Sequence, residues 1–174
     1  LGIEASFRVD GLSLLFALLI TGIGTLVFLY ASAYLKGRER LPRFYAALTL
    51  FTGAMIGAVL ADDLILLVVF WELTSLTSFL LIGTTPESAE ARRSAQQGLL
   101  VTVAGGLALL AAVILMGAGL GTYSISEILA RGGAVAALPA APAIIALLAI
   151  GAFAKSAQAP LHSWLANAMV APTP

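Results

Sequence analysis

The sequence has 174 residues, of which 60% are hydrophobic and 10% are charged, and its formal net charge is zero. Soluble domains carry about 25% charged residues, so this chain cannot cover a water-exposed surface and a lipid bilayer is its expected surrounding. The balanced charge offers no basic surface for nucleic acid. The absence of Cys excludes disulfides, thiolate metal sites and Cys nucleophiles.

Five apolar stretches are long enough for helices that cross a bilayer, which takes about 20 residues. They lie at about 11–34, 44–60, 64–83, 95–118 and 142–159, and short polar connections join them. The sequence therefore predicts an all-α, polytopic transmembrane helix bundle that forms a single domain over residues 1–174. The first residue is not Met and no signal peptide precedes the first stretch, so we expect both ends to be truncated relative to a longer protein.

Residues that favour helix starts stand before several of these stretches. Asp10 and Asp63 precede the first and third stretches and can accept hydrogen bonds from the free amides there. Thr85, followed by Pro86, predicts the start of the fourth helix before the membrane. Ser124 predicts a short helix that lies in the connection after the fourth stretch rather than spanning the membrane.

The distribution of positive charge predicts the orientation. Arg8 and Arg131 lie in connections on one side of the predicted membrane. The connections on the other side contain six positive residues: Lys36, Arg38, Arg40, Arg43, Arg92 and Arg93. Because cytoplasmic loops are enriched in Lys and Arg, the N-terminus is expected outside and the C-terminal end near the cytoplasm, in a multi-pass protein of the cell (inner) membrane.

Glu72 is the most informative single residue, because it lies near the middle of the third stretch. A charge at that depth costs about 2.5–3.5 kcal/mol on insertion scales, so the residue must face a polar interior. Ser75 lies one helical turn further on the same face, and Thr74 adds a second hydroxyl. Glu72 is therefore a candidate for a protonatable relay site, and the alternative is a neutral Glu that joins two helices.

Lys155 lies late in the fifth stretch, and polar residues follow it before Pro160, which breaks the helix. A span that becomes polar and then breaks is typical of a discontinuous helix that lines a wet cavity. A desolvated Lys can lose its proton and act as a switchable charge. The alternative is a Lys whose long side chain reaches the inner membrane surface.

His162 is the only histidine in the sequence, so a relay role and a simple polar role at the helix break are both open. One His without clustered carboxylates predicts no metal site, and no nucleotide- or cofactor-binding motif is present, so no cofactor is expected. Asp62 and Asp63 could attract cations at an outer mouth, although capping of helix ends is the better interpretation.

Four segments resemble the antiporter-like membrane subunits shared by respiratory complex I and the Mrp-type multisubunit sodium/proton antiporters. These segments are residues 7–13 (FRVDGLS), 70–76 (FWELTSL), 155–158 (KSAQ) and 162–174 (HSWLANAMVAPTP). The last of them resembles the family pattern Trp-Leu-Pro-x-Ala-Met-x-x-Pro-Thr-Pro, with Ala166 where the family usually has Pro. The residues around Glu72 are most similar to the A subunit of the Mrp type, since complex I chain 5 usually has Gly-rich residues after that Glu.

The resemblance implies a larger fold of about fourteen helices, of which this chain would supply five, with the last span broken near Pro160. It implies that Glu72, Lys155 and His162 form a proton relay in which the charge of Glu72 governs proton transfer at Lys155. The implied function is that of an ion-translocating subunit of a multisubunit Na+/H+ antiporter, a transporter and not an enzyme. Its implied partners are other antiporter subunits, H+ and Na+. The alternative is a proton-pumping, non-redox membrane subunit of NADH:quinone oxidoreductase.

Overall fold

The computed structural model describes residues 5–37, 41–84 and 87–169, and helices dominate those residues. The described residues form seven helices: α1 (Gly11–Tyr34), α2 (Leu41–Leu60), α3 (Leu64–Ile82), α4 (Ala89–Leu120), α5 (Ile125–Ala130), α6 (Ala141–Lys155) and α7 (Ser163–Ala168). Helices α1 to α4 are long and apolar enough to cross a membrane. The predicted all-α, polytopic membrane fold is therefore confirmed.

The fifth predicted span differs most from expectation. Helix α6 has 15 residues, which corresponds to about 22 Å of helix and is shorter than the roughly 30 Å hydrocarbon core. It ends at Lys155 rather than at residue 159, and the chain then turns and begins α7 at Ser163. The predicted break is present, but the helix ends before Pro160. The span is thus divided into a long half, α6, and a short half, α7.

Polar side chains at the helix starts explain several boundaries. The Asp10 carboxylate accepts a hydrogen bond from the Ser13 backbone N–H in a capping box, and Asp63 accepts from the amides of Ile65 and Leu66. Both capping predictions are confirmed, and Ser124 caps α5. Helix α4 begins before its apolar stretch, as predicted, and Ser88 caps it at Ala89. The predicted cap at Thr85 and Pro86 lies outside the described residues.

The core lies where α3, α4 and α6 pack together. Its buried side chains are Val68 from α3, Ile144 from α6 and four residues from α4: Leu109, Ala112, Val113 and Met116. Helix α1 lies against α2 and leaves most of its large apolar side chains exposed. Exposure of that kind is expected for a helix surrounded by lipid or by further protein.

A close approach of α4 and α6 sets the position of the chain's C-terminal part. A Cβ placed on Gly105 would overlap the Ala154 side chain, and one on Gly151 would lie 3.0 Å from the Gly105 carbonyl. Small residues at these positions let the two backbones come together, as in other membrane helix pairs. Lys155, which follows Ala154, is carried to the middle of the bundle by this contact.

Candidate functional site

Glu72 is the ninth of the 19 residues of α3, so it lies about 12 Å along the helix axis from the first residue. Its carboxyl group rests against the backbone of α4 at Gly106, where a Cβ would overlap Glu72 Oε1 and Cδ. Among the described residues, the buried Oε1 atom has no hydrogen-bond partner. An unpartnered acceptor at this depth is costly unless water or a proton satisfies it.

Lys155 is the last residue of α6, and its half-buried side chain extends to the turn of α3 that carries Glu72. The ammonium donates to the Thr74 hydroxyl, to the Ser75 hydroxyl at 3.0 Å and to the Trp71 carbonyl at 3.4 Å. It also lies 5.6 Å from the centre of the Trp71 ring, within the range of a cation–π interaction. Lys155 therefore does not reach away to the membrane surface; it is held by α3.

The Lys155 ammonium thus binds the turn of α3 that carries Glu72. The amine is bound by hydroxyls and a carbonyl, and the buried carboxylate oxygen faces Gly106. No direct hydrogen bond between the two groups is found in the described part of the chain. This arrangement leaves both groups able to gain or lose a proton without first breaking a direct ion pair.

The end of α6 has the geometry of a Schellman motif, in which the N–H two residues past the helix cap bonds back to a carbonyl in the last turn. The Gln158 N–H donates to the Phe153 carbonyl at 2.9 Å, and Ala157 has a φ of 51°. That left-handed position usually holds Gly, because an alanine there costs about 1–2 kcal/mol. The backbone itself therefore ends the helix directly after Lys155.

The structure does not bring His162 into contact with the pair. His162 stands at the position before α7, its side chain is exposed, and it makes no side-chain capping hydrogen bond. His162 lies just beyond the helix break, and its part in the relay stays a prediction. Ala166, where the resembling family has Pro, lies within α7.

A cavity of about 420 Å³ lies beside Lys155. Residues of α1, α2 and α3 line it, together with Thr102, Lys155 and Trp164. Apolar side chains of α1 and α2 form one wall. Thr74, Ser78, Thr102 and Lys155 also line the cavity, but most of its surface is apolar.

A second polar cluster lies at the other end of α3. The carboxylate of Asp62 accepts hydrogen bonds from the N–H and hydroxyl of Ser126, at 3.1 and 2.7 Å, and Arg8 donates to the same hydroxyl at 3.2 Å. Arg8 also forms an ion pair of 2.7 Å with Asp10. The Ser13 backbone hydrogen bond, aided by its hydroxyl and by Arg8, lowers the pKa of Asp10. Asp62 and Asp63 therefore fix backbone segments, in agreement with the capping interpretation.

Two participants of the site were not predicted from the sequence. Gly106 carries no chemistry of its own, so only the structure could reveal that it provides the space for the Glu72 carboxyl group. Gln97 lies in α4 and bonds to two residues of α7. Its only signal was a polar side chain near the start of a long apolar stretch.

Two models of related membrane-protein families match this chain. Residues 61–174 match the family model of the NADH:quinone oxidoreductase/Mrp antiporter transmembrane region. Residues 1–45 match the model of the NADH-ubiquinone oxidoreductase (complex I) chain 5 N-terminus. The first match alone extends over more than half of the chain.

Individual relatives agree with the family models. A probable K(+)/H(+) antiporter A/B subunit of Rhizobium meliloti is 47% identical over 174 residues, which is 100% of this chain and 17% of that protein. The Na(+)/H(+) antiporter A subunit of Alkalihalophilus pseudofirmus is 51% identical over 175 residues, covering 100% of this chain and 22% of that protein. This chain therefore spans about a fifth of the length of these relatives.

A solved structure shares the fold. A chain in the Mrp complex from Dietzia sp. DQ12-45-1b superposes with a TM-score of 0.90 at 44% sequence identity, covering 98% of this chain and 19% of that chain. At that identity and score the arrangement of helices is the same in both proteins. The fold of this chain thus corresponds to about a fifth of that chain.

Proposed function

This chain belongs to the NADH:quinone oxidoreductase/Mrp antiporter transmembrane family, and from that membership we propose that it is part of the ion-translocating subunit of a multisubunit cation/proton antiporter. Proteins named as antiporter subunits match its whole length. The proposed partners are the other subunits of such a complex. The coupled cation is monovalent: one relative is named for Na+ and another for K+.

Within that subunit, we propose that Glu72 and Lys155 carry protons through the middle of the membrane. The observation that supports this role is the contact of the Lys155 ammonium with Thr74 and Ser75, on the α3 turn that carries Glu72. Ionisable groups inside a membrane are costly and mark ion pathways when they face a protein interior. Hydroxyls that accept from the ammonium stabilise its charged form.

The proposed path uses the break after α6. Because α6 ends at Lys155, the amine extends from the point where the span is broken. The carbonyls of Phe153 and Ala154 in the last turn of α6 accept hydrogen bonds from residues beyond the break. Broken helices of transporters place binding groups near the membrane midplane in this way. His162, exposed at the start of α7, is proposed as the next titratable group beyond the break. The N-terminal side is proposed to face outward, following the distribution of Lys and Arg.

The test is ion exchange by the complete complex in everted membrane vesicles. Glu72→Gln and Lys155→Ala should each abolish Na+- and K+-dependent proton exchange while the complex still assembles. Thr77→Val is a matched control, because the Thr77 hydroxyl bonds only to backbone carbonyls of its own helix in the described structure. Wild-type exchange in both site variants would contradict the proposed relay.

The second candidate is a proton-pumping subunit of an NADH:quinone oxidoreductase. The match of residues 1–45 to the complex I chain 5 model favours it. The same vesicles distinguish the two candidates. An antiporter exchanges cations for protons when an imposed ion gradient is the only energy source, whereas the pump moves protons only while NADH is oxidised.

A further inference from the structure

We infer that Gln97 is a positioning residue for Lys155: it holds α7 against α4, and α7 in turn fixes the end of α6 from which the Lys155 side chain extends. This inference rests on the proposed function of Lys155. It assigns a role to a polar residue of α4 that touches neither member of the Glu72–Lys155 pair.

The first link joins Gln97 to α7 through both ends of its amide group. Gln97 Nε2 donates to the Ser163 hydroxyl at 3.0 Å, and Asn167 Nδ2 donates to Gln97 Oε1 at 2.6 Å. Ser163 and Asn167 are four residues apart, so they lie on the same face of α7. One side chain thereby spans a full turn of the short helix and sets both its position and its rotation relative to α4.

The second link joins α7 to the end of α6. Between the two bonds to Gln97 lies Trp164, which is buried, and its indole N–H donates to the Ala154 carbonyl at 2.9 Å. That carbonyl belongs to the last turn of α6, where the helix break removes the usual amide partners. On the other side of the indole, a Cβ built on Gly98 would lie 3.5 Å from a ring carbon, so α4 packs directly against Trp164 beside Gln97.

The third link is covalent. Ala154 precedes Lys155, whose ammonium must reach Thr74 and Ser75 on α3. A six-residue helix is too short to be stable by itself, so its placement depends on contacts such as those with Gln97. Without them, α7 and the Trp164 indole would no longer hold the end of α6, and the ammonium would lose its fixed distance to the hydroxyls of Thr74 and Ser75.

The inference is tested with Gln97→Ala, Asn167→Ala and the double variant in the complete complex. Gln96→Ala is the matched control, since it changes the same residue type at the adjacent position, where the side chain is exposed and lines a pocket beside Phe79. Exchange is measured in everted vesicles over a range of pH, with the amount of assembled complex determined for every variant.

Asn167→Ala removes one hydrogen bond to Gln97 and should lower the exchange rate about fivefold. Gln97→Ala removes that bond and the bond to Ser163, so it should lower the rate further. Both variants should move the pH profile by about half a unit. The double variant should be no worse than Gln97→Ala, because Gln97→Ala already removes the bond that Asn167→Ala removes. Gln96→Ala should match the wild type. If Gln97→Ala prevents assembly, Asn167→Ala, which changes an exposed residue, provides the same comparison.

An unchanged pH profile in Gln97→Ala and Asn167→Ala would overturn the inference even if the rate fell, because a merely structural role would lower the amount of active complex without altering the titration. Independent, multiplying losses in the double variant would also overturn it. Exchange by Glu72→Gln is measured in the same vesicles. Retained exchange in Glu72→Gln would contradict the proposed function. Lost exchange in Glu72→Gln, together with a wild-type pH profile in Gln97→Ala, would contradict only the positioning role of Gln97.

Discussion

The ammonium of Lys155, at the end of α6, lies 3.0 Å from the hydroxyl of Ser75 in α3, one helical turn from Glu72. Eighty residues of sequence separate the two partners, and the contact brings the end of a broken helix to the middle of a continuous one. A hydrogen bond to a charged group contributes about 1.5–3 kcal/mol. The contact is therefore strong enough to determine where the amine stands when it is protonated.

The first prediction concerns the hydroxyls that accept from the ammonium. Thr74→Val keeps the shape of the side chain but removes an acceptor, so the charged amine is less well stabilised. We expect exchange to fall by about tenfold or more, in line with the strength of a charge-assisted hydrogen bond, and the pH profile to move. Measurement of exchange against pH in vesicles checks this, and Thr77→Val is the comparison. Equal behaviour of the two valine variants would contradict the assigned role of Thr74.

The second prediction concerns the space for the Glu72 carboxyl group. A methyl group on Gly106 would overlap that carboxyl, so Gly106→Ala must displace it from α4. We expect exchange to be lost while the complex still assembles, since overpacking of this kind costs about 1–3 kcal/mol. Gly53→Ala is the control, because a Cβ at Gly53 meets nothing within 4 Å. Full exchange by Gly106→Ala would show that the carboxyl group does not need this position.

The third prediction concerns the backbone at the helix break. Ala157 has a φ of 51°, which glycine adopts without steric cost. Ala157→Gly should therefore stabilise the protein by about 0.5–1 kcal/mol, the relief of strain exceeding the added entropy of the unfolded chain. Gly121, at the end of α4, has a φ of 74°, so Gly121→Ala should destabilise by a similar amount. Thermal unfolding of the detergent-solubilised complex measures both, and shifts of the same sign would contradict this account of the break.

The fourth prediction concerns acid stability at the start of α1. Because the pKa of Asp10 is lowered in the folded protein, chiefly by the Ser13 backbone N–H, its ionised form favours folding. That contribution is complete above the pKa of the unfolded carboxyl group, about 3.9, and is lost as the pH falls through the lower folded pKa. Asp10→Asn keeps an acceptor for the amide without titrating. The stability difference between wild type and variant should shrink from pH 6 to pH 3, and a difference that is constant over this range would contradict the prediction.

The sequence predicted the parts of this molecule that depend on composition and local pattern. The apolar stretches located the long helices because only a helix satisfies its own backbone in lipid, and Asp10 and Asp63 located two helix starts through capping. Glu72 and Lys155 were each predicted as candidate relay residues from their intramembrane position, and the family resemblance implied that they act together. The structure brings the Lys155 ammonium to the turn of α3 that carries Glu72.

The remaining features depend on contacts that no local pattern contains. Pro160 suggested where α6 breaks, but the helix ends earlier, through a left-handed Ala157, and alanine gives no signal for that conformation. Gly106 and Gln97 lie far in sequence from the residues they serve. Their roles follow from helix packing, which brings α4 between α3 and the broken span.

The central claim is that Lys155 must release and regain a proton, and Lys155→Arg tests it most directly. Arginine keeps the positive charge and the donors but does not lose its proton in proteins. The measurement is cation/proton exchange by the complete complex in everted vesicles, with assembly verified. The account predicts an assembled complex with exchange at background level. Exchange at the wild-type rate would show that a fixed charge suffices at this position and would contradict the relay.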